Sequence, residues 1–245
     1  MQQLIIDIGN SSAKVAVFEN DCLAEHLRVE HAELPELLAA KAQDASIGSA
    51  ILSSVIPLSE SLEEAVMALP FPCLRMSAML RMPFSIAYKT PETLGPDRLA
   101  AVAGAWCQQP NADLLVIDMG TAITYDLLTA EGTYLGGNIS PGIGMRLKAL
   151  NHFTGKLPLV SKEGERVALG NTTETAIREG VLQGVDKEIE GYIHEYIQKY
   201  PDLLVFLTGG GTFLLDNRVK SRTFADSLLV IKGLNRILEL NNGNS

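Results

Sequence analysis

The chain has 245 residues, of which 47% are hydrophobic and 20% are charged. This composition is typical of a soluble globular protein and argues against intrinsic disorder. Its 20 basic and 29 acidic residues give a formal net charge of −9, which argues against nucleic acid as the main partner because nucleic-acid-binding domains carry basic surfaces. The length predicts one large domain or two small ones, each with its own core.

Membrane anchoring, secretion and disulfide bonding are also disfavoured. No apolar run reaches the roughly 18 residues of a membrane span, and the N-terminal segment MQQLIIDIGN contains neither a basic region nor a signal-cleavage site. We therefore expect a cytoplasmic protein that does not contact membranes. Cys22, Cys73 and Cys107 form no CxxC pair, which predicts buried, reduced thiols. The histidines have no metal-ligand spacing and are interpreted as surface or packing residues: His26, His31, His152 and His194.

The first half of the sequence begins with a predicted β-hairpin over residues 4–18, which turns at residues 9–12. A short buried strand is predicted over residues 49–57. Apolar residues at helical spacing predict helices over residues 31–43, 59–69 and 97–109. Ser59 or Ser61 would cap the second of these helices.

The second half follows a similar order of strands, turns and helices. Buried or alternating apolar runs predict strands over residues 114–120 and 122–129. Residues 132–142 are predicted to form a strand and a turn, and residues 202–212 a buried strand that runs into three glycines. Pro141 stands where a helix would begin and continue to residue 153. Helical spacing also predicts a long helix over residues 173–200 and a closing helix over residues 225–241.

A short motif occurs once in each half of the chain. Asp-Ile-Gly-Asn at residues 7–10 and Asp-Met-Gly-Thr at residues 118–121 begin 111 residues apart, and each motif ends a buried strand that a return strand follows. Such a repeat indicates an internal duplication, with one half at residues 1–112 and the other at residues 113–245. Alternating strands and helices indicate an α/β fold, and a ligand would lie in the cleft between the halves.

Both Asp-Gly turns carry groups that bind phosphate and cations. A tight glycine turn exposes backbone N–H groups, which can cradle phosphate oxygens together with neighbouring hydroxyls. Asp7 and Asp118 can each hold a cation, Thr121 supplies a hydroxyl, and Lys14 supplies a positive charge. The first candidate site consists of Asp7, Ile8, Gly9, Asn10, Ser11, Ser12, Ala13 and Lys14. Either turn alone could be an ordinary solvated hairpin, whereas two in matching positions would grip a polyphosphate from both sides.

Two more glycine-rich turns could approach a phosphorylated ligand closely. One covers residues 208–212, after a buried strand, and the other combines Gly136 and Gly137 with Pro141 and Gly142. A simple glycine-rich loop in the first case, and a turn with a helix start in the second, explain the same residues and stay open as alternatives.

These motifs resemble those of the acetate kinase, sugar kinase, Hsp70 and actin superfamily. In that superfamily two duplicated ribonuclease-H-like halves hold ATP between them. Three segments are similar, more narrowly, to motifs of type III pantothenate kinases. Gly95-Pro96-Asp97-Arg98 resembles GxDR, residues 136–142 resemble GGxIxPG, and residues 170–180 resemble GxxTxxAIxxG. The matches run in family order from residue 5 to about residue 212, and the ordered set is far more specific than DxGN or DxGT alone.

This resemblance implies an ATP-dependent phosphorylation of pantothenate to 4'-phosphopantothenate, the first step of coenzyme A biosynthesis. Asp97 matches the residue that accepts the proton of the primary hydroxyl, and Arg98 can hold the pantothenate carboxylate through its planar fork. Tyr88 and Thr173 match residues that line the family's substrate pocket, together with Gly95 and Pro96. The alternatives for Asp97 and Thr173 are helix-start roles, and the alternative for Tyr88 is packing.

The resemblance also implies cofactors and an assembly. Asp7 would position the magnesium of Mg-ATP, Thr121 would contact phosphate, and Asp118 would bind a monovalent cation, potassium or ammonium. Ser11 stands where the family often has threonine, and the hydroxyl is kept. The family is dimeric and borrows pocket residues from the second subunit, so the resemblance implies a homodimer with the pocket at its interface.

Two other function classes stay open at this point. A phosphohydrolase on the same fold would release phosphate without an acceptor, although GxDR and the Thr173 segment argue against it. A non-catalytic binding module would bind a partner without turnover, although Asp7, Asp97 and Asp118 are all present and the protein is acidic.

Overall fold

The computed structural model describes residues 1–19, 21–210 and 222–242. The strands are β1 Gln2–Ile8, β2 Ala13–Glu19, β3 Cys22–Val29, β4 Ile47–Ser54, β5 Cys73–Arg75, β6 Ser85–Ile86, β7 Leu114–Met119, β8 Ala122–Leu128, β9 Thr133–Pro141, β10 Leu204–Gly209 and β11 Thr223–Ala225. The helices are α1 Leu34–Lys41, α2 Glu60–Met67, α3 Pro96–Gln108, α4 Ile143–His152, α5 Thr173–Lys199 and α6 Leu229–Asn242, with a 3-10 turn at Pro91–Thr93. The described helices include none that is both long and apolar enough to cross a membrane.

Contacts divide the chain into two compact units. The first comprises Met1–Asn111, Leu128–Leu135 and Leu228–Ser245, and the second comprises Ala112–Leu127 and Gly136–Ser227. The predicted duplication boundary between residues 112 and 113 stays a prediction.

The first unit is built on a five-stranded sheet in the order β3-β2-β1-β4-β5. β2 lies antiparallel to both β1 and β3, while β4 is parallel to β1 and to β5. Leu4, Ile6 and Ile8 of β1 point to one face of this sheet, where they pack with apolar residues of α1 and α2. Because side chains alternate along a strand, Asp7 points to the opposite face, where α3 and α6 contact the strands.

The helices α3 and α6 pack against each other at very short distance. A Cβ atom on Gly104 of α3 would lie 2.1 Å from the carbonyl oxygen of Leu229, and one on Gly233 of α6 would lie 1.8 Å from the carbonyl oxygen of Ala100. Only glycine fits at these two positions, since any side chain would overlap the backbone of the other helix.

The second unit contains strands in the order β11-β10-β7-β8-β9. β10 runs parallel to β7, and Thr208 is in register with Asp118. One face of this sheet forms a core with Val185, Ile189 and Ile193 of α5. The carboxyl ends of β7 and β10 therefore lie side by side, and both run directly into glycine turns.

Most of the predicted elements are confirmed, and Ser59 is the N-cap of α2. The prediction that Pro141 begins a helix was wrong, because Pro141 ends β9 and Gly142 caps α4. The closing helix begins at Leu229 rather than at residue 225, which belongs to the short strand β11. Strands β3, β5, β6 and β11 were not predicted.

The three cysteines differ from the prediction that all are buried. Cys22 and Cys107 are exposed, and Cys73 is partly buried. Cys22 opens β3, whose side chains are mostly exposed. Cys107 lies in the last turn of α3, beyond the buried part of that helix, which ends at Ala105.

Candidate active site

The first phosphate-loop candidate is the turn between β1 and β2. Gly9 N–H donates to the Ser12 carbonyl oxygen at 3.1 Å and closes the turn. Asn10 and Ser11 are exposed at its tip. The side chains of Ile8 and Ala13 lie in the hydrophobic core, so these two residues can offer a ligand only their backbone. The turn thus has a fixed base and an accessible tip.

Two side chains from outside the motif brace this turn. Arg28 Nε donates to Ser12 Oγ at 2.9 Å, and His31 Nε2 lies 3.0 Å from the Gly9 carbonyl oxygen, at donor distance. Sequence reasoning missed Arg28 and treated His31 as a surface or packing residue. Arg28 is in register with Lys14, so the antiparallel pairing of β3 brings a second cation beside the loop.

Asp7 occupies the end of β1 between two polar neighbours. Lys14 is its register partner on β2, and Ser53 is its register partner on β4. Burial of the carboxyl group raises the pKa of Asp7 from 3.8 to about 6. The Lys14 ammonium opposes this rise, the nearby Asp97 carboxylate adds to it, and the Ser53 hydroxyl lowers the pKa slightly. Asp7 and Asp97, 90 residues apart in sequence, are therefore close enough to interact electrostatically.

The GxDR motif forms the start of α3. Gly95 is the N-cap, Pro96 fills the first helical position, and Asp97 Oδ1 accepts a hydrogen bond from Arg98 N–H at 2.9 Å. Pro96 suits this position because the first N–H groups of a helix have no helical partner. A carboxylate is also favoured here by the positive end of the helix dipole. The predicted helix-start role of Asp97 is thus present, and its carboxylate lies on the same side of the sheet as Asp7.

Arg98 and Tyr88 are brought together. Arg98 is only 5% exposed, and its guanidinium carbon lies 5.9 Å from the centre of the Tyr88 ring. The Tyr88 ring also lies 6.3 Å from the ring of Tyr134, which sequence reasoning missed. An arginine held over an aromatic ring keeps its planar fork in one orientation, which suits recognition of a carboxylate.

The second phosphate-loop candidate follows β7. Gly120 N–H donates to the Ala122 carbonyl oxygen at 3.0 Å, and Gly142 N–H donates to the Thr121 carbonyl oxygen at 2.9 Å. A Cβ on Gly142 would lie 2.4 Å from the Gly120 carbonyl oxygen. Thr121 is exposed and Asp118 is half-buried. Glycine at position 142 is therefore required for the two turns to meet.

The turn after β10 also approaches Asp118. Gly209 has a φ of +90°, and a Cβ there would lie 2.6 Å from Asp118 Oδ1. Gly210 N–H donates to the Met119 carbonyl oxygen at 3.1 Å. The predicted close approach of this glycine turn therefore involves Asp118 itself. Residues 211 and 212 of the predicted turn lie outside the described residues.

Gly136 and Gly137 are explained by strand packing. A Cβ on Gly137 would lie 1.8 Å from the Tyr125 carbonyl oxygen on β8, so this glycine allows close backbone contact between neighbouring segments. Gly136 has a φ of +109°, which a glycine adopts readily. Gly137 is therefore required by the close approach to β8, and Gly136 by its backbone conformation.

A polar network fixes the end of β9. Glu188 of α5 accepts hydrogen bonds from Tyr125 at 2.7 Å, from Ser140 at 2.5 Å and from Arg146 at 2.6 Å. Arg146 Nε also donates to the Pro141 carbonyl oxygen at 2.7 Å. Burial alone would raise the pKa of Glu188, but the hydrogen bonds have the larger combined effect and hold that pKa below its ordinary value. The network positions the residues just before Gly142, and thereby the second loop.

Thr173 was predicted to cap the long helix or to contact substrate. The capping role is wrong, because the N-cap of α5 is Thr172. The Thr172 hydroxyl accepts a hydrogen bond from Thr175 N–H, and the Thr175 hydroxyl accepts one from Thr172 N–H. Thr173 is the first helical residue and its side chain is exposed. The hydroxyl of Thr173 therefore takes no part in the capping hydrogen bonds of α5.

The donor set can hold cations of the predicted kinds. Within the described ranges no cluster of three or more His, Cys, Asp and Glu side chains forms an all-protein metal cage. Magnesium bound with a nucleotide needs no such cage, since it is commonly held by one or two carboxylates together with phosphate oxygens and water. Asp7, beside a phosphate-loop candidate, fits that chemistry, and Asp118 offers a similar carboxylate in the second unit.

Comparison with solved structures identifies the class of fold. A protein from Campylobacter jejuni described as a Baf family transcriptional activator superposes with a TM-score of 0.63 at 23% identity, covering 98% of this chain and 99% of that chain. An inorganic polyphosphate/ATP-glucomannokinase from Arthrobacter superposes with a TM-score of 0.50 at 14% identity, covering 99% of both chains. At these identities the likeness concerns the fold alone. It is the duplicated α/β fold of the sugar kinase and actin-like ATPase class.

The family follows from sequence. Residues 3–195 match the family model of type III pantothenate kinase. The chain is 50% identical over 240 residues to the type III pantothenate kinase of Bacteroides fragilis, covering 98% of each chain. It is 42% identical over 241 residues to that of Porphyromonas gingivalis, covering 97% of this chain and 98% of the other. The chain belongs to the type III pantothenate kinase family.

Proposed function

We propose that this chain transfers the γ-phosphoryl group of ATP to the primary hydroxyl of pantothenate and forms 4'-phosphopantothenate, the first step of coenzyme A biosynthesis. The observation that carries the proposal is the proximity of two carboxylates, Asp7 and Asp97, next to a braced phosphate-loop candidate. Phosphoryl transfer requires this combination, since one group takes up the proton of the acceptor while others neutralise the charge on the transferring phosphoryl group.

Asp97 is the proposed proton acceptor, and Arg98 the proposed partner of the pantothenate carboxylate. The hydrogen bond from Arg98 N–H holds the Asp97 carboxylate at the start of α3, on the side of the sheet where Asp7 lies. The position of Arg98 over Tyr88 supports a planar recognition site for the carboxylate. Gly95 and Pro96 shape the helix start that holds both residues, and the exposed hydroxyl of Thr173 is a further proposed contact to pantothenate.

Each of the two loops is a proposed binding element for phosphate groups of ATP. Residues Ile8 to Ala13 offer backbone N–H groups and the hydroxyls of Ser11 and Ser12, while Lys14 supplies a positive charge; Thr121 supplies a hydroxyl in the second unit. Asp7 would hold the magnesium ion, which supplies charge neutralisation at the phosphates when bound. Asp118 would hold a potassium or ammonium ion. The braced geometry of both turns supports these roles, because preorganised donors need no rearrangement when charge develops.

A cytoplasmic homodimer, with the pantothenate pocket at the subunit interface, completes the proposal. Large apolar side chains are exposed on the second unit, as a subunit interface requires: Ile139, Met145, Phe153, Leu159 and Leu169. The net charge of −9 supports small-molecule substrates rather than nucleic acid as partners.

The test is a coupled assay of ADP release with ATP, magnesium and potassium, with and without pantothenate. We expect release that depends on pantothenate and falls when sodium replaces potassium. The Asp97→Asn variant should lose roughly 10²- to 10⁴-fold in kcat, as is typical for removal of a general base. Asp202→Asn, which changes an exposed aspartate, is the matched control. Wild-type turnover by Asp97→Asn would exclude Asp97 as the base, and ADP release without regard to pantothenate would exclude the substrate.

A further inference from the structure

Two buried hydroxyl groups stand beside the two carboxylates proposed to hold cations. Ser53, which has no exposed surface, is in register with Asp7 on the parallel strand β4. Thr208, which is 4% exposed, is in register with Asp118 on the parallel strand β10. Residues in register on neighbouring strands point to the same face of a sheet. Each hydroxyl therefore lies on the same side of its sheet as its carboxylate.

Neither hydroxyl makes a regular hydrogen bond with another described residue. Four buried side-chain atoms lack such a partner among the described residues, and Ser53 Oγ and Thr208 Oγ1 are two of them. Ser53 is near enough to Asp7 to affect its ionisation, yet no bond of regular geometry joins the two groups. Buried polar groups are nearly always hydrogen-bonded, so each exception requires an explanation. Two exceptions at equivalent positions of the two units indicate a shared purpose.

The chemistry beside each hydroxyl is that of a cation site. A carboxylate and a hydroxyl are both oxygen donors, which is the ligand type that magnesium and alkali cations take. Magnesium also keeps several of its waters, which then need hydrogen-bond acceptors on the protein. The turn after β10 lies directly against Asp118, since a Cβ on Gly209 would be 2.6 Å from Asp118 Oδ1.

We infer that Ser53 and Thr208 bind the hydrated cations that Asp7 and Asp118 hold, and that each hydroxyl finds its missing partner only when its cation is present. The inference rests on the proposed function and deepens it. It assigns Ser53 to the divalent cation that accompanies the nucleotide and Thr208 to the monovalent cation. The internal duplication has thus kept a carboxylate and hydroxyl pair in each half, with serine in one and threonine in the other.

The test measures cation binding by thermal unfolding, in the presence of a non-hydrolysable ATP analogue and at constant ionic strength. Thr208→Val keeps the shape of the side chain and removes the hydroxyl. We expect this variant to be at least as stable as wild type without potassium, because an unpaired buried hydroxyl has been removed. The potassium concentration that gives half of the stabilisation should rise at least tenfold, and Thr208→Ser should restore it.

Thr129→Val is the matched control. Thr129 Oγ1 is another buried hydroxyl that makes no hydrogen bond of regular geometry with a described residue. Thr129 follows the far end of β8, away from Ala122 and the Asp118 turn. Its loss should leave the potassium response unchanged. A potassium midpoint of Thr208→Val within twofold of wild type, or no response of the wild type to potassium, would overturn the assignment of Thr208.

Ser53→Ala tests the other half with a magnesium titration. Its magnesium midpoint should rise at least fivefold while its potassium midpoint stays the same, and Thr208→Val should show the reverse pattern. If both variants weaken the binding of both cations equally, the hydroxyls act on the general structure and the inference fails. The proposed function fails separately, if the wild type binds both cations but shows no ADP release that depends on pantothenate.

Discussion

Asp97 Oδ1 lies 2.7 Å from the position that a Cβ atom on Gly95 would occupy. The carboxylate folds back over the start of α3, where it accepts the hydrogen bond from Arg98 N–H. Any side chain at position 95 would push this carboxylate away, while the backbone there has ordinary geometry. The absence of a side chain at Gly95 therefore serves the placement of the Asp97 carboxylate, the proposed proton acceptor, rather than the stability of the helix.

The Gly95→Ala variant should fold normally and lose activity. The atom that must move is the end of a flexible side chain, so we expect a change in the free energy of unfolding below about 1 kcal/mol. We expect kcat to fall about 10- to 100-fold, because a displacement of about 1 Å at a reacting group has effects of this size. Steady-state kinetics and urea unfolding of the same preparation check both parts. An unchanged kcat would show that Asp97 does not act from the position described.

Asp7→Asn should stabilise the protein while abolishing activity. The folded-state pKa of about 6 lies above the ordinary 3.8, so proton binding favours the folded state. This stabilisation is complete below pH 4 and is lost as the pH rises through 6. Above pH 6 the variant, which carries no charge, should therefore exceed wild type by up to about 3 kcal/mol, at roughly 1.4 kcal/mol for each pKa unit.

Thermal unfolding of Asp7→Asn and wild type between pH 4 and pH 8, without nucleotide, tests this expectation. The stability difference should grow with pH and level off above pH 6. Asp202→Asn, at an exposed site, should show no such trend. A difference that is constant with pH would mean that Asp7 titrates normally in the fold.

Gly104→Ala should destabilise the first unit strongly. Its Cβ would overlap the backbone of α6, which cannot yield as a flexible side chain can, so the two helices must move apart. We expect a loss of about 2–4 kcal/mol, at the upper end for overpacked sites. Gly191→Ala is the control, since nothing lies within 4 Å of a Cβ there. Alanine within the exposed face of α5 should instead add about 0.5–1 kcal/mol. Equal effects of the two variants would contradict the close packing of α3 and α6.

Glu188→Gln should weaken the second unit and its phosphate loop together. The change leaves Arg146 without its carboxylate partner, which we expect to lower the free energy of unfolding by about 1–3 kcal/mol. Because the network positions the segment before Gly142, the KM for ATP should rise more than kcat falls. Glu195→Gln removes an exposed ion pair with Lys199 and should change stability by less than about 0.5 kcal/mol. A normal KM for ATP in Glu188→Gln would show that the Glu188 network does not position the second loop for ATP binding.

The sequence reveals much of the fold because its strands are short, apolar and bounded by turn residues. Strand β3 escaped prediction for a physical reason. It is an edge strand with mostly exposed side chains, and its first five residues, Cys22 to His26, show no alternation of apolar and polar residues. Asp21, a residue type common in turns, was the available indication before it, and Asp21 does adopt a positive φ of 63°.

The candidate site could be predicted where its residues are contiguous, and not where tertiary contacts complete it. The turn after Asp7 and the Gly95–Arg98 motif are visible as local patterns. Arg28 and His31 act on that turn from 16 and 22 residues away, and no spacing rule connects them. For Thr172 and Thr173 the difficulty was different, because adjacent threonines are equally good caps and only the backbone conformation decides between them.

The packing of α3 against α6 constrains the order in which the protein can fold during its synthesis. Every residue from 112 to 227 leaves the ribosome before α6 does, yet α6 covers part of the sheet that begins at residue 2. Until then, the small apolar residues of α3 that meet α6 in the finished fold are uncovered. Domains that form during synthesis usually do so from the N-terminus onward. Here the unit that is translated first can only be finished last.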